Sequence, residues 1–460
     1  MKNKTALNHL WSSKEFCLAD FNDARLTKRC IGIATGILDN PSGSIAESLT
    51  KWKKIKGAYR FFNNESVTNE KILSSHIEMT NERCQMEKVV LVAQDTTELT
   101  TSPKKVSGAG KIGVGKSEGF FIHTGLALTT NGIPLGIVSQ KIYARKAETS
   151  DPSRNYKKLD IKDKETYKWV ECINGIKKNL KGVRVVVIGD RESDIYDVFR
   201  QAKDLEVEVL IRVAQNRLVK DTEDAEETEH LFDKVKKEAI VTQYELEVPN
   251  IENGHKKRTA KLSIRKSKYI LLPPRSRDQK LPHVELSLID VLEENSPKGT
   301  EAIHWMLATN IEVNTANDCI ELIKWYTQRW KVERFHYVLK TGLFNVEKLQ
   351  FRTKEGLSNV LSMFSILAYR ILYLTYIQRE SPDLKATEVI TSEECNALKK
   401  LNDIENEKEL TISEAVRYIS RLGGFLNRKG DKHPGVKVMW KGLKALHFVV
   451  IGMQLSSKNN

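Results

Sequence analysis

A chain of 460 residues is too long for one hydrophobic core, and about two to four domains are expected. Its 40% hydrophobic and 29% charged residues are the balance of a globular protein; no apolar run approaches bilayer length, and the opening MKNKTALNHLWSSKEF lacks an apolar leader, so no membrane span and a cytoplasmic location are expected. Cys17, Cys30, Cys84, Cys172, Cys319 and Cys395 form no CxxC pair, which excludes a zinc ribbon, a redox motif and a disulfide framework. The formal charge of +14 and pI near 9.2 suit a polyanionic partner, because each Lys or Arg set on a phosphate releases counterions; charge alone leaves nucleic acid and an acidic membrane surface both open.

The first segment reads as helices. FNDARLTKR opens a helical run from Phe21 to about Leu38, and Asn40-Pro-Ser-Gly-Ser44 breaks it with turn residues. A second helix is expected from Ser44 onward, with Lys51, Lys53, Lys54, Lys56 and Arg60 interleaved with Trp52, Tyr59 and Phe61. That pattern fits a helical unit lying on DNA, with Arg25, Lys28, Arg29 and Arg60 as candidate phosphate or base contacts. A solvated basic helix has the same composition.

A helix from about Glu70 leads to the apolar run Lys88–Gln94, which reads as a strand stopping at Asp95. Phe120–Leu128 and Ile133–Ser139 flank Asn131-Gly132, a strong hairpin signal. After a charged loop (146–164) and a helix around Trp169, Val183–Gly189 repeats the pattern and ends at Asp190; Arg191–Tyr196 starts a helix, and Val207–Val213 is a further strand carrying Arg212. The block 220–299 alternates over short stretches and contains Pro273-Pro274, as a β-rich insertion would. Ala302–Thr309, with Trp305, returns as a strand. Leu357–Tyr373 reads as a buried helix, Ser381-Pro-Asp383 as a boundary, and the remainder as helices with Arg421–Phe425 and a final helix around Trp440. This is a mixed α/β order with helical flanks.

Between them lies Asn314–Lys340, in which no residue type breaks a helix. As one helix it aligns Tyr326, Arg329, Glu333 and Lys340 on one face, beside an apolar ridge of Trp325, Val332 and Leu339. Asp95, Asp190 and Glu333 are then three acids at the ends of separate elements. Converging carboxylates can hold hard divalent cations that keep water or phosphate as further ligands, and two such ions serve phosphodiester attack. Glu98, Glu192 and Asp194 compete for these roles on sequence alone. The histidines show no HExxH, and a GxSxG elbow and a GxxxxGK[ST] loop are absent; Gly108–Ser117 lacks the spacing of a phosphate loop and leads into a strand.

Tyr326, Arg329, Glu333 and Lys340 have the Y-x2-R-x3-E-x6-K spacing of the DDE transposases of bacterial insertion sequences. With FNDARLTKR, GAYRF, QDTT at Asp95, GDRESDIY at Asp190, YTQRWKVERFHYVLKTG and RLGGF, the chain resembles the group that includes the transposase of the Tn-five composite transposon. The resemblance implies a ribonuclease-H-like (retroviral-integrase-like) core of α/β class with a β insertion, flanked by helical domains: DNA-binding over 1–68, catalytic over 69–380 with the insertion at 220–299, and dimerising over 381–460. It implies Asp95, Asp190 and Glu333 as ligands of two Mg2+ ions, with Mn2+ able to substitute. Tyr326, Arg329, Lys340 and Arg212 would hold phosphates, and Trp305 would stack near a flipped base. The partners implied are double-stranded DNA, as terminal inverted repeats and target, and a second copy when bound to paired ends. Expected activity is cut-and-paste transposition by strand hydrolysis, hairpin formation and resolution, and 3′-OH strand transfer. The competing readings are a ribonuclease-H-like nuclease without strand transfer and a DNA-binding repressor of transposition.

Overall fold

The structure is a computed structural model and describes residues 11–40, 44–101, 106–113, 117–145, 159–248, 258–274, 281–342, 346–428, 431 and 433–456. In chain order the elements are α1 (residues 11–16), α2 (Ala24–Asp39), α3 (Ile45–Leu49), α4 (Trp52–Phe62), α5 (Asn69–Cys84), β1 (Val89–Thr100), β2 (Gly110–Lys111), β3 (Glu118–Leu128) and β4 (Pro134–Tyr143). There follow α6 (Tyr167–Asn179), β5 (Arg184–Gly189), α7 (Tyr196–Asp204), β6 (Glu208–Arg212), β7 (Leu218–Lys220), β8 (Glu229–His230), α8 (Leu231–Lys237), β9 (Ile240–Val248), β10 (Arg258–Leu271), β11 (Val284–Glu293) and β12 (His304–Thr309). The chain ends with α9 (Ala316–Thr327), α10 (Trp330–Tyr337), α11 (Lys354–Tyr376), α12 (Ser392–Leu401), α13 (Ile412–Leu422) and α14 (Val436–Ser456). Two compact units result, one made of Met1–Met86, Thr96–Ala147 and Lys331–Asn460, the other of Glu87–Asp95 and Glu148–Trp330.

The second unit is built on a sheet. β1 pairs parallel with β5 from Val89↔Arg184 to Ala93↔Ile188, and β5 pairs parallel with β6. Their runs of Val, Leu and Ile are buried, as strands covered on both faces require, with Trp169 and Ile173 of α6 and Phe199 of α7 in the core. β1 does not stop at its acid as expected. It runs on to Thr100, so Asp95 lies within the strand, two residues past the last β1–β5 pair. The expected helix after Asp190 is preceded by a 3-10 turn, Arg191–Ser193, and α7 starts only at Tyr196. The insertion is β-rich as read, but it is not a separate sheet. β12 pairs antiparallel with β6 and with β11, β11 with β10, and β10 with β9 and β7, so the insertion extends the same ladder. α8 within it has no counterpart in the sequence reading.

The helix expected over 314–340 is broken. In a continuous helix the Gln328 N–H would bond the Lys324 carbonyl; instead the Thr327 hydroxyl takes that carbonyl at 2.6 Å and the Gln328 side chain takes it at 3.4 Å. The backbone N–H groups of Gln328 and Arg329 then reach back three residues, to Trp325 and Tyr326, at 3.0 Å each, and α9 closes. α10 restarts at Trp330 and passes into a π-helical turn, Val338–Gly342. The four polar residues therefore do not share one helix face, although Trp325, Val332 and Leu339 are buried as their spacing demanded.

The first unit is mainly helical. The single helix expected from Ser44 is two, α3 and α4, because Thr50 turns the chain at φ 54°. In the hairpin β3–β4, Gly132 takes φ 88° at the expected turn, where a side chain would be strained. α11 is long and apolar enough to cross a bilayer, yet 89% of its apolar window is buried inside the protein, packed against α5, β4 and α14; it is a core helix, not a span. Its Asn359 amide donates to the carbonyls of Phe62 and Val67 at 2.9 and 2.7 Å, fixing the α4–α5 connection. Glu15, His76 and Arg83 form a buried network. His76 Nδ1 bonds Glu15, and its Nε2 accepts the Ile137 N–H at 2.8 Å, which defines the tautomer.

Candidate active site and nucleic-acid interface

Asp190 follows β5 directly, and its placement is local. A side chain at Gly189 would put Cβ 2.1 Å from Ser193 Oγ and 2.8 Å from Ile211 Cδ1, so only glycine lets the turn close. Asp190 then caps that turn, with Oδ1 accepting the Glu192 N–H at 2.9 Å and its carbonyl accepting from Ser193 Oγ at 2.6 Å. Burial raises its carboxyl above the usual range, the nearby charge of Asp95 raises it further, and Arg329 works against both. Neighbouring parallel strands have thus brought two carboxylates into each other's field, which is the arrangement a hard cation relieves.

Around this pair stand cations and aromatics of the same unit. Arg212, the last residue of β6, donates from Nη2 to the His304 carbonyl at 2.9 Å, and its guanidinium senses Tyr326, Arg191 and Arg329. Its pKa is lowered, chiefly by burial. Tyr326 is itself buried, which raises its phenol, and its ring meets Trp305 edge-on at 5.4 Å. Trp305 is half-buried on β12. Sequence reasoning missed three members of this group. His304 Nε2 donates to the Asp290 carboxylate at 2.8 Å, Asp290 also pairs with Arg265 at 3.4 Å, and Arg191 adds its charge beside Arg212. The adjacency of His304 to Trp305 and of Arg191 to Asp190 was the available signal; Asp290 had none.

The rival acids have other roles. Asp194 is buried and accepts the N–H groups of Ala214 and Gln215 at 2.8 and 2.9 Å, besides pairing with Arg217, so it braces a loop. Glu192 is exposed and lies 3.6 Å from Lys168. Glu98 accepts the Gly113 N–H at 3.2 Å.

In the other unit, Glu333 is half-buried in the first turn of α10. Lys340 lies in the π-helical turn with Nζ 4.0 Å from Glu347, whose Oε1 accepts the Thr100 N–H at 3.0 Å. Among the described residues, no three His, Cys, Asp or Glu side chains stand close enough together to hold a metal ion. Within the second unit, the structure brings Asp95 and Asp190 together.

Near the start of the chain, Arg25, Lys28 and Arg29 of α2 line a groove of about 570 Å³ with Lys51, Lys53 and Lys54, over a floor that includes Gly32, Gly57 and Ala58. Small residues let the cations flank a concave surface suited to a phosphate backbone. Arg25 is tied to Asp23 at 2.9 Å. Arg60 is exposed in the last turn of α4 and does not line the groove. Of the aromatics expected beside these cations, Trp52 is 75% exposed while Phe61 is in the core.

Family models match this chain in three consecutive stretches: transposase DNA-binding over residues 8–67, transposase DDE domain over 162–370, and transposase Tn5 dimerisation domain over 366–459. The basic groove lies in the first, the ribonuclease-H-like sheet with Asp190, Arg212, Trp305 and Tyr326 in the second, and α12 to α14 in the third. Among solved structures, the chain is similar to a piggyBac transposase synaptic complex with hairpin DNA at 10% identity and a TM-score of 0.34, covering 94% of this chain and 74% of that one. By the order and extent of its three matches, the chain belongs to the Tn5-type DDE transposases.

Proposed function

We propose that this DNA transposase excises an insertion sequence and joins it to target DNA by hydrolysis and transesterification at one site formed by Asp95, Asp190 and Glu333. The observation that carries the reading is the Asp95–Asp190 pair, set by two parallel strands and bordered by Arg212, Arg329, Trp305 and Tyr326. The three carboxylates would hold two Mg2+ ions, with Mn2+ able to substitute; when bound, these ions activate the attacking hydroxyl and stabilise the leaving oxygen. Arg329 and Arg212 orient the phosphodiester through its non-bridging oxygens, as fork-shaped donors do well, and Lys340 adds a further phosphate contact. Trp305, backed by buried Tyr326, offers a stacking face for a base displaced from the element end, which offsets part of the unstacking cost of a few kcal/mol.

The route that fits such a site is hydrolysis of one strand at each end, attack of the freed 3′-OH on the opposite strand to give a hairpin, hairpin opening, and strand transfer. The basic groove, with Arg25, Lys28 and Arg29, grips the terminal inverted repeats, Arg60 extends the contact, and two copies pair the ends through the C-terminal helices. We divide the chain accordingly into DNA-binding (1–68), catalytic (69–380) and dimerising (381–460) domains, with a cytoplasmic, nucleoid-bound location. The test is Mg2+-dependent release of the element from a plasmid carrying its own ends. Glu333→Ala and Asp190→Asn should abolish both nicking and hairpin formation while retaining end binding. A Glu333→Ala protein that cuts like the parent removes Glu333 from the site; binding without cleavage by the parent favours a repressor.

A further inference from the structure

α10 carries a second group of cations that the acidic site does not use. Lys331 Nζ stands 4.0 Å from the centroid of the Tyr376 ring, and the Arg379 guanidinium stands 4.3 Å from the same ring. Tyr376 is buried at the end of α11, and the charge of Arg334 bears on both Lys331 and Tyr376. Among the described residues, neither Lys331 nor Arg379 has an Asp or Glu within ion-pair distance. A tyrosine face attracts a cation. Two cations on one ring, however, leave a positive charge that the ring cannot neutralise.

The geometry points to a phosphate-binding site formed by Lys331, Arg334 and Arg379 around Tyr376, whose ligand is a phosphodiester of DNA. This deepens the transposase reading and rests on it. Both cationic heads lie within 4.3 Å of the centre of one ring, so a single phosphodiester segment passing its edge can reach both. At about 100° per residue, Lys331 and Arg334 share a face of α10 that is turned well away from Glu333. The phosphate held here is therefore not the scissile one. Lys331 and Arg334 belong to the DDE match and Tyr376 and Arg379 to the dimerisation match, so a bound strand bridges the catalytic helix and the start of the dimerising segment.

The test compares full-length parent protein with Lys331→Gln plus Arg379→Gln, and with Lys331→Arg plus Arg379→Lys, which keeps both charges. Affinity for a duplex of the element's own terminal sequence is measured over a salt series, and capture of a target plasmid by pre-cut ends is measured in parallel. The Gln variant should lose affinity by about tenfold at 0.1 M salt for each phosphate contact removed, and the slope of log affinity against log salt should fall by about 0.9 per contact. The charge-keeping variant should follow the parent. A flattened slope for the end duplex assigns the phosphate to the element strand; unchanged end binding with salt-sensitive loss of target capture assigns it to the target strand. Both support the site. Superimposable salt curves and equal target capture overturn it while leaving the transposase reading intact, and weaker binding with an unchanged slope overturns it in favour of a packing role. A parent that binds no DNA at any salt overturns the transposase reading and this site with it. Thermal melting checks the fold, and if the double variant melts early, Arg379→Gln alone, at an exposed position, is read by the same criteria.

Discussion

Two glycines of α14 should respond in opposite directions to the same substitution. Where α13 crosses α14, a Cβ on Gly442 would lie 1.8 Å from the Ile419 carbonyl oxygen and 2.6 Å from its carbon, and one on Gly423 would lie 2.0 Å from the Val438 oxygen. Ordinary contact needs about 3.5 Å, so Gly442→Ala forces the helices apart or bends one of them. Overpacking of this kind costs about 1–3 kcal/mol, against which alanine's better helix propensity returns about 1 kcal/mol. The net expectation is a loss of up to about 2 kcal/mol. Ten residues on, Gly452 has nothing within 4 Å of its would-be Cβ, so Gly452→Ala gains only the propensity term, up to about 1 kcal/mol. Urea denaturation at one fixed protein concentration reads both, the concentration being held because association raises apparent stability. Sedimentation should show Gly442→Ala weakening self-association as the C-terminal helices shift. If Gly442→Ala proves as stable as Gly452→Ala, the close crossing is not what holds these helices.

Three further outcomes follow from features already described. Burial would raise the Glu15 carboxyl, but His76 and Arg83 outweigh it and hold it at about 2, while burial lowers His76. The unfolded chain therefore binds more protons than the folded one below about pH 6.5, and stability present at neutral pH should fall as pH drops through the histidine and carboxylate ranges toward 2. Glu15→Gln should cost about 3 kcal/mol at pH 7 and flatten that dependence, as urea midpoints from pH 8 to 4 would show. Lys28→Gln with Arg29→Gln should lower the salt slope of end binding by about 2 and leave cleavage of pre-bound ends unchanged. Asp290→Asn should loosen His304 and with it the carbonyl that holds Arg212, slowing end cleavage by about 3- to 30-fold with binding of intact ends kept, and unchanged single-turnover rates would refute the link.

Strand-forming runs were legible because burial on both faces leaves an unbroken apolar signature; Val183–Gly189 and Val207–Val213 needed nothing else, and the parallel pairing of β1 with β5 explains why Asp95 and Asp190 approach each other. The end of β1 was not legible, since Thr96–Thr100 suits a strand as well as a turn and nothing in its composition marks Asp95 as an interior position. The break between α9 and α10 was hidden for a different reason. No Gly or Pro makes it; a Thr327 hydroxyl and the Gln328 amide capture one carbonyl, and either residue is tolerated within a helix. Tyr326, expected to face outward with Arg329, is instead turned under Trp305, a contact between residues 21 positions apart that helical spacing cannot express. The insertion kept its alternation but not its connection: only the register Leu307↔Arg212 and Trp305↔Val291 shows that β12 lies between β6 and β11.

That last placement limits what the chain can lose. β11 pairs with β12 from Ser287↔Thr309 to Leu292↔His304. Excising residues 218–293 would strip this partner and leave the far side of His304–Thr309 as a bare sheet edge, with unpaired amide and carbonyl groups and Trp305 at its rim. Such an edge invites pairing with other chains, so a shortened variant is expected to aggregate rather than survive as a trimmed enzyme.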